Sequence, residues 1–247
     1  MFTTGTVAII TAATGHRYLP RCVESVQKQT FSKIEHLVVV DGPEFDEKVR
    51  SLLPGSSTTI LTLPHGTGRD NWCGHRIYAA CSFLVNTEYV AFLDEDNWID
   101  PDHVESLVKA VSETKSPWGF SLRKIVDQNG QFVALDNCES LGNLHENWNN
   151  PGFSHVDTNC YLLSRLIAVE FAPAWYGQTP GPPGKIGRDA FLCRLLLKFS
   201  PKTVCSMKYS VNYSLGERPR SVKAAFFLKG NKIIADKYPN GLPWLKK

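Results

Sequence analysis

What this chain lacks narrows it first. None of its apolar segments approaches the ~20 residues that a membrane-crossing helix requires, and Met1-Phe2-Thr3-Thr4 offers no basic stretch of the kind that opens a signal peptide. The seven cysteines, Cys22, Cys73, Cys81, Cys138, Cys160, Cys193 and Cys205, are scattered and odd in number, with no C-x-x-C pair. They are expected to be reduced thiols of a cytoplasmic protein, neither a disulfide framework nor a zinc site. A strong charge of either sign is missing too: 27 Lys+Arg face 24 Asp+Glu, a net +3. That balance argues against a nucleic-acid partner and leaves room for no more than weak association with a membrane surface. Gly66-x-Gly68 is too short for a dinucleotide fingerprint, and the stretch from Gly5 to Gly15 does not supply one. No internal repeat is visible.

What is present reads as one soluble α/β domain over 1–247, with 43% hydrophobic and 21% charged residues. Thr6–Thr11 is a buried strand followed by the small-residue loop Ala12-Ala13-Thr14-Gly15-His16-Arg17, which lets a ligand approach the backbone. A helix is predicted over Tyr18–Gln29, a strand over Ile34–Val40, a helix over Phe45–Leu53 and a strand over Thr58–Leu63. A helix over Asn71–Val85 and a strand over Tyr89–Leu93 complete a β-α-β-α-β-α-β order, which implies a mostly parallel sheet with right-handed crossovers.

Two of these strands end on acids. Ile34–Val40 runs into Asp41-Gly42, and Tyr-Val-Ala-Phe-Leu breaks abruptly into Asp94-Glu95-Asp96. Ligands of open α/β sheets bind at the carboxyl ends of strands. In extended backbone Asp94 and Asp96 point the same way, a geometry that suits two carboxylates sharing a hard divalent cation, while Glu95 alternates to the other side. Asp41 can accept a hydrogen bond from a base or ribose. Read without its neighbours, each acid is equally a turn or capping residue; Asp100-Pro101 in particular looks like an N-cap and first helical residue.

The second half changes character. A helix over Pro101–Thr114 precedes a hairpin, Trp118–Ile125 and Gln131–Leu135, across Asp127-Gln128-Asn129-Gly130. Asp136–Gly152 reads as a long loop, Val156–Leu163 as a strand and Ser164–Phe171 as a short helix. Pro173–Gly187 carries four Pro and four Gly and is expected to be a lid loop. Arg188–Phe199 is a helix and Thr203–Tyr213 a strand; from Leu215 on no pattern stands out. Asp189, at the start of its helix, reads as a first-turn acid or as a general base carried to the site by the glycine-rich loop. His155 and Asp157 read as a polar strand start, or as a third metal ligand or acceptor contact. Arg69, His75 and Arg76 can neutralise phosphate or form a solvated helix face, and Arg218 and Arg220 can clamp a diphosphate on closure. Trp98, Trp148 and Trp175 fall in loops, where aromatics stack on sugars or simply pack.

T-V-A-I-I-T-A, the helix L-P-R-C-V-E-S-V-Q-K-Q-T-F, I-E-H-L-V-V-V-D-G and Y-V-A-F-L-D-E-D-N, in that order, resemble the family-two glycosyltransferases with the GT-A fold, over roughly the first 110 residues. The resemblance implies a nucleotide-binding, mostly parallel central sheet flanked by helices, with 1–115 as the nucleotide-sugar half. Residues 116–247 would then be a smaller mixed acceptor-binding half. It implies an inverting, metal-dependent transfer from a nucleotide-diphosphate sugar, UDP-linked by first expectation, to a glycan, lipid-linked or protein hydroxyl, with Mn²⁺ or Mg²⁺. Asp41 matches the family's nucleobase contact, Asp94 the acid near the ribose and Asp96 the metal ligand. Ala12 and Ala13 match positions against the base. Glu95, Arg76 and Arg218 join the candidate donor contacts, and Asp189 matches the catalytic base. The family's A-R-N-x-G helix is not reproduced, Arg188 stands where an acid often precedes the base, and no C-terminal His suits a further metal ligand. A nucleotidyltransferase, which would carry a glycine-rich basic signature after the first strand, and a non-catalytic nucleotide-sugar-binding module are the rival classes.

Overall fold

The computed structural model describes residues 3–56, 58–68, 73–176, 187–216 and 221–245. Strand β1 (Thr3–Ala13) lies at the centre of the first half. Helix α1 (Leu19–Gln27) follows, then β2 (Ile34–Val40), a short 3-10 turn, α2 (Asp46–Leu52), β3 (Thr59–Thr62), α3 (His75–Leu84) and β4 (Thr87–Phe92). The predicted β-α-β-α-β-α-β order is therefore present, and β3, β2, β1 and β4 run parallel in that spatial order. The expected N-terminus of α3 at Asn71 lies outside the described residues; the described helix opens at His75.

The sheet continues as a mixed one. After β4 come β5 (Trp98–Ile99), α4 (His103–Thr114), β6 (Trp118–Val126), β7 (Phe132–Leu135), β8 (Tyr161–Ser164), α5 (Arg165–Glu170), α6 (Ala172–Tyr176), α7 (Arg188–Phe199), β9 (Thr203–Ser214) and α8 (Ala224–Lys237). β8 pairs antiparallel with both β4 and β6, while β6 and β9 run parallel. This antiparallel insertion carries residues from the second half of the chain back to the carboxyl end of β4.

Apolar side chains explain the layering. Val7, Ile9, Val90 and Phe92 from the strands meet Ile77, Cys81, Val104, Leu107 and Val111 from the helices in one core. On α4, Val104, Leu107 and Val111 recur at helical spacing and all are buried. A second cluster fills the space between α8 and the β6–β7 hairpin, around Ile125, Cys138, Phe227 and Ile234. Helix α8 occupies the part of the sequence where no pattern was read.

Several expected boundaries move. The strand read over Val156–Leu163 begins only at Tyr161, because Asp157 caps a 3-10 turn over Thr158–Cys160 by accepting the Asn159 N–H. Part of the presumed Pro173–Gly187 loop is helical: α6 starts at Ala172 and holds Pro173 at its second position, where a missing N–H costs nothing. Residues 177–186 of that loop, with Arg69, Arg218 and Arg220, lie outside the described residues. Asp100 is no N-cap. Helix α4 starts at His103, and the Asp100 carboxylate instead meets Lys124 Nζ at 2.6 Å and Asn212 Nδ2 at 2.9 Å.

Candidate active site at the sheet's carboxyl edge

Strand β4 stops at Phe92, and Asp94 to Asn97 form a turn closed by the Asn97 N–H on the Asp94 carbonyl at 3.1 Å. The expected extended geometry, with Asp94 and Asp96 side by side, is thus replaced by a turn that sends its three acids to different neighbours. Asp94 Oδ1 accepts the Tyr78 hydroxyl at 2.5 Å and its Oδ2 accepts Asn159 Nδ2 at 2.9 Å, while its N–H donates to Asn159 Oδ1. Burial and the nearby Asp157 raise its pKa, against the pull of Tyr78 and Asn159. Glu95 clamps the loop after β1: Oε1 accepts the Thr14 N–H and hydroxyl at 2.9 and 2.8 Å, and Oε2 accepts the His16 N–H at 2.8 Å. It is therefore a builder of the loop that a donor would lie against, rather than an open contact.

Asp96 differs from both. No other residue's side chain hydrogen-bonds its carboxylate among the described residues. Burial, then Asp94 and Glu95, push its pKa up to about 7. A half-buried carboxylate with open lone pairs, crowded by like charge, is a group that a divalent cation would relieve. No cluster of three or more His, Cys, Asp or Glu suited to a metal exists among the described residues. The arrangement fits an ion of the Mg²⁺ or Mn²⁺ type, which takes one or two carboxylates and fills its remaining positions with phosphate oxygens and water.

At the end of β2, Asp41 is buried and fully used by the loop after β3. Its Oδ1 accepts the Thr67 N–H and hydroxyl at 2.6 and 2.7 Å, and its Oδ2 accepts the Gly68 N–H at 2.8 Å. A Cβ on Gly68 would sit 2.6 Å from that carboxylate, so the loop needs glycine there. Arg76 Nη1 donates to the Thr67 carbonyl at 3.3 Å, so Arg76 reaches this same loop. Ala12 is half-buried beside Gly74 and Tyr78, as a wall residue would be. Ala13 is fully buried in the core with Val38, Val40 and Val49, which removes it as a surface contact; its carbonyl accepts the Asp41 N–H at 2.9 Å.

Asp189 opens α7 with 22% of its side chain exposed. Its Oδ1 accepts the Ala190 N–H at 2.8 Å, and its Oδ2 lies 3.0 Å from His155 Nε2. Although burial opposes it, the facing His155 holds the Asp189 carboxyl far below the usual carboxylate range. Burial likewise opposes a charged His155, but Asp189 and Glu139 carry its pKa up to about 9. The other ring nitrogen, Nδ1, faces Glu139 Oε1 at 3.9 Å. With both nitrogens turned to carboxylates, His155 is neither the third metal ligand nor the acceptor contact considered from the sequence.

Behind these groups lies a residue that sequence reasoning missed. Arg123 of β6 is 2% exposed and meets three carboxylates: Asp136 at 2.8 Å through Nε, Glu139 through Nη2 and Asp157 through Nη1. Asp157 also accepts Asn159 Nδ2 at 2.7 Å, and Asn159 bonds Asp94. One run of polar contacts therefore joins Asp94, Asn159, Asp157, Arg123, Glu139, His155 and Asp189. An arginine inside an apolar strand pattern, S-L-R-K-I-V, was the available signal, since a charge buried there demands partners.

The aromatics divide. Trp175 is buried in the core against Tyr78, Phe92 and Tyr161, and the half-buried Trp148 packs beside Phe226 and Gly230. Trp98 lies under the Arg21 guanidinium at 3.4 Å. Among the described residues no cysteine forms a disulfide. No described helix is long and apolar enough to cross a membrane.

A family model described as Glycosyl transferase family 2 matches residues 7–158. Glycosyltransferase GlyA of Streptococcus pneumoniae is 24% identical over 210 residues, which cover 76% of this chain and 27% of GlyA. EpsH of Bacillus subtilis, also named as a glycosyltransferase, is 30% identical over 101 residues, 39% of this chain and 27% of EpsH. The matched region thus spans only 27% of the length of each of these curated relatives. The fold is shared with TarS 1–349 of S. aureus, solved in complex with UDP-GlcNAc, at a TM-score of 0.60 and 15% identity over 96% of this chain and 67% of that one. It is shared also with the mannosyltransferase PcManGT of Pyrobaculum calidifontis, solved with GDP-Man and Mn²⁺, at a TM-score of 0.57 and 12% identity over 86% of this chain and 58% of that one.

Proposed function

The chain belongs to glycosyl transferase family 2 and has the GT-A fold, and on that premise we propose that it transfers a sugar, with inversion, from a nucleoside-diphosphate donor to an acceptor hydroxyl. The observation that carries the reading is the run of buried contacts from Asp94 to Asp189. It ties an acid at the end of β4 to an acid at the start of α7, two groups from opposite halves of the chain, at one edge of the sheet.

Each group has a role that follows from its surroundings. Asp41 and the Thr67-Gly68 loop it holds, with the Thr14–His16 loop held by Glu95, form the walls for the nucleoside. Asp94, fixed by Tyr78 and Asn159, faces the ribose. Asp96 would hold Mn²⁺ or Mg²⁺, and the ion would supply Lewis-acid neutralisation of the diphosphate's charge. Asp189 accepts the proton of the acceptor hydroxyl as its oxygen bonds to the anomeric carbon; the bond to the diphosphate oxygen breaks on the opposite face, and the nucleoside diphosphate leaves. An acid held ionised is ready for that proton at any ordinary pH.

A UDP-sugar is the first donor to try. TarS was solved with UDP-GlcNAc and PcManGT with GDP-Man, so guanosine donors belong in the same screen. The deciding experiment is a panel of nucleotide-sugars assayed for hydrolysis and transfer with Mn²⁺, on the parent and on Asp189→Asn. We expect one donor class to be turned over. The variant should bind it with unchanged affinity while transfer falls ~10²–10⁴-fold, the usual worth of a general base. Transfer at the parental rate in Asp189→Asn would show the base assignment to be wrong.

A further inference from the structure

We propose that His155 is a positioning residue for Asp189: wedged between the carboxylates of Asp189 and Glu139, it fixes the orientation and the charge of the acid that takes the acceptor's proton. The inference deepens the glycosyl-transfer reading above and rests on it.

Three features of the geometry argue for this. First, His155 stands behind Asp189. Its side chain is 11% exposed and that of Asp189 22%, so the carboxylate is the more open of the two. Second, neither ring nitrogen is available to take a proton from an acceptor. Nε2 is 3.0 Å from Asp189 Oδ2, and Nδ1 faces Glu139 Oε1 at 3.9 Å. An imidazole that served as the base would need one nitrogen directed at the substrate. Third, both ends of the pair are anchored in rigid elements. The His155 carbonyl accepts the Gly142 N–H at 2.8 Å, and Gly142 sits at φ 55 with the Phe120 ring close enough that a Cβ would clash at 2.5 Å. Asp189 is held by the Ala190 N–H, and its carbonyl accepts the Tyr161 hydroxyl at 3.1 Å.

The charges facing His155 come from three elements: Asp189 on α7, Glu139 in the loop after β7, and Arg123 on β6. The two acids outweigh burial and the arginine, so the ring is an imidazolium below about pH 9 and loses its proton as pH rises through that value. A charged ring offers an N–H to each carboxylate at once. A neutral ring keeps one N–H: the tautomer protonated on Nε2 still bonds Asp189 but without the positive charge, and the other tautomer turns a lone pair on it, so the hold on Asp189 weakens in alkaline solution.

The test compares His155→Ala with His155→Gln in the full chain, whose side-chain amide can still donate one hydrogen bond toward Asp189. We expect His155→Ala to lose transfer kcat by about 10²-fold, within the range of a misplaced general base, with the donor KM within threefold of the parent. His155→Gln should recover at least tenfold of that loss, and it should lack the fall in rate that the parent shows as pH rises through about 9. Parental kcat in His155→Ala would overturn the proposal. So would a loss of kcat and donor affinity in parallel with no rescue by glutamine, the mark of a merely structural side chain. One readout does not depend on turnover. Titration of the His155 ring by NMR should give a pKa near 9 in the parent and a markedly lower value in Asp189→Asn. An unchanged titration refutes the pairing itself. A lowered value in a protein that turns over no nucleotide-sugar would keep the pair and reject the glycosyl-transfer reading.

Discussion

Replacing Arg123 by methionine asks how much the buried ion cluster holds. The guanidinium is 2% exposed and is the shared partner of Asp136, Glu139 and Asp157. It also lies 4.4 Å from the Tyr213 ring centroid and 5.3 Å from that of Phe227. Methionine keeps most of the apolar stem and its packing under those rings, so the change removes charge more than volume. What remains is three acids facing one another without a cation. Breaking a buried pair by deleting one partner costs about 3–5 kcal/mol. For a chain of this size about 2–4 °C of Tm accompanies each kcal/mol. The expected fall in Tm is therefore about 6–20 °C, and a large share of a total stability of about 5–15 kcal/mol would go with it. The loss should depend on pH. Without Arg123 the buried Asp136 and Glu139 carboxyls acquire folded-state pKa values above their unfolded values near 4. The folded variant then binds more protons than the unfolded chain, so its stability falls as pH rises through that window. In the parent the sign is reversed for Asp136, whose carboxyl is held low by Arg123 against the cost of its burial; its stabilisation is present above the unfolded pKa and is lost as pH falls. The gap between parent and variant should thus be wider at pH 8 than at pH 5, read by thermal denaturation followed by circular dichroism. A Tm within about 2 °C of the parent at pH 8, about 1 kcal/mol or less, would refute the account of Arg123 as the cluster's required cation.

Two substitutions probe the turn after β4. Glu95→Gln keeps the shape but replaces one acceptor oxygen with an amine facing backbone N–H groups of the Thr14–His16 loop; a loss of about 1.5–3 kcal/mol is expected, together with a weaker donor affinity, both measurable by thermal shift with and without nucleotide. An unchanged donor affinity would detach that loop from the donor site. Asp96→Asn should abolish the stimulation of donor turnover by Mn²⁺ while leaving the fold intact, since no other residue's side chain leans on that carboxylate among the described residues; a Mn²⁺ titration of the rate settles it, and parental stimulation would remove Asp96 as the metal ligand.

The first half of the chain was legible because each of its elements carries its own pattern. β1, β2 and β4 are short apolar runs that end on Asp or on small residues, and parallel strands buried on both faces have to look that way. The positions of Asp41, Asp94 and Asp189 at element ends followed directly. Three things did not follow, each because it is decided by contacts distant in sequence. The Asp94–Asn97 turn replaced extended alternation, since Tyr78 and Asn159 draw Asp94 one way and the Thr14–His16 loop draws Glu95 another. Arg123, Asp136, Glu139 and Asp157 are up to 34 residues apart, and no periodicity relates them. Helix α8 was unread because its buried face is only Phe227, Gly230 and Ile234, with lysines among the rest.

The same network explains why the acids of one site differ in strength. Of six carboxylates here, those of Asp136, Glu139, Asp157 and Asp189 meet the buried cations Arg123 and His155, while burial and neighbouring acids act on Asp94 and Asp96. Those cations sit at one end. Asp136 beside Arg123 and Asp189 beside His155 are accordingly held below the ordinary carboxylate range. Asp94 and Asp96, at the other end, are raised: Asp94 by burial and Asp157, Asp96 by burial, Asp94 and Glu95. Acids whose surroundings push their affinities for protons apart are suited to different tasks. An acid already neutralised by a built-in cation is ionised before any substrate arrives, which a proton acceptor requires. An acid left short of positive charge favours whatever brings it, and a divalent ion accompanying a diphosphate brings two charges. On the proposed reading, that unequal supply of positive charge is what would separate a base at α7 from a metal-binding turn after β4.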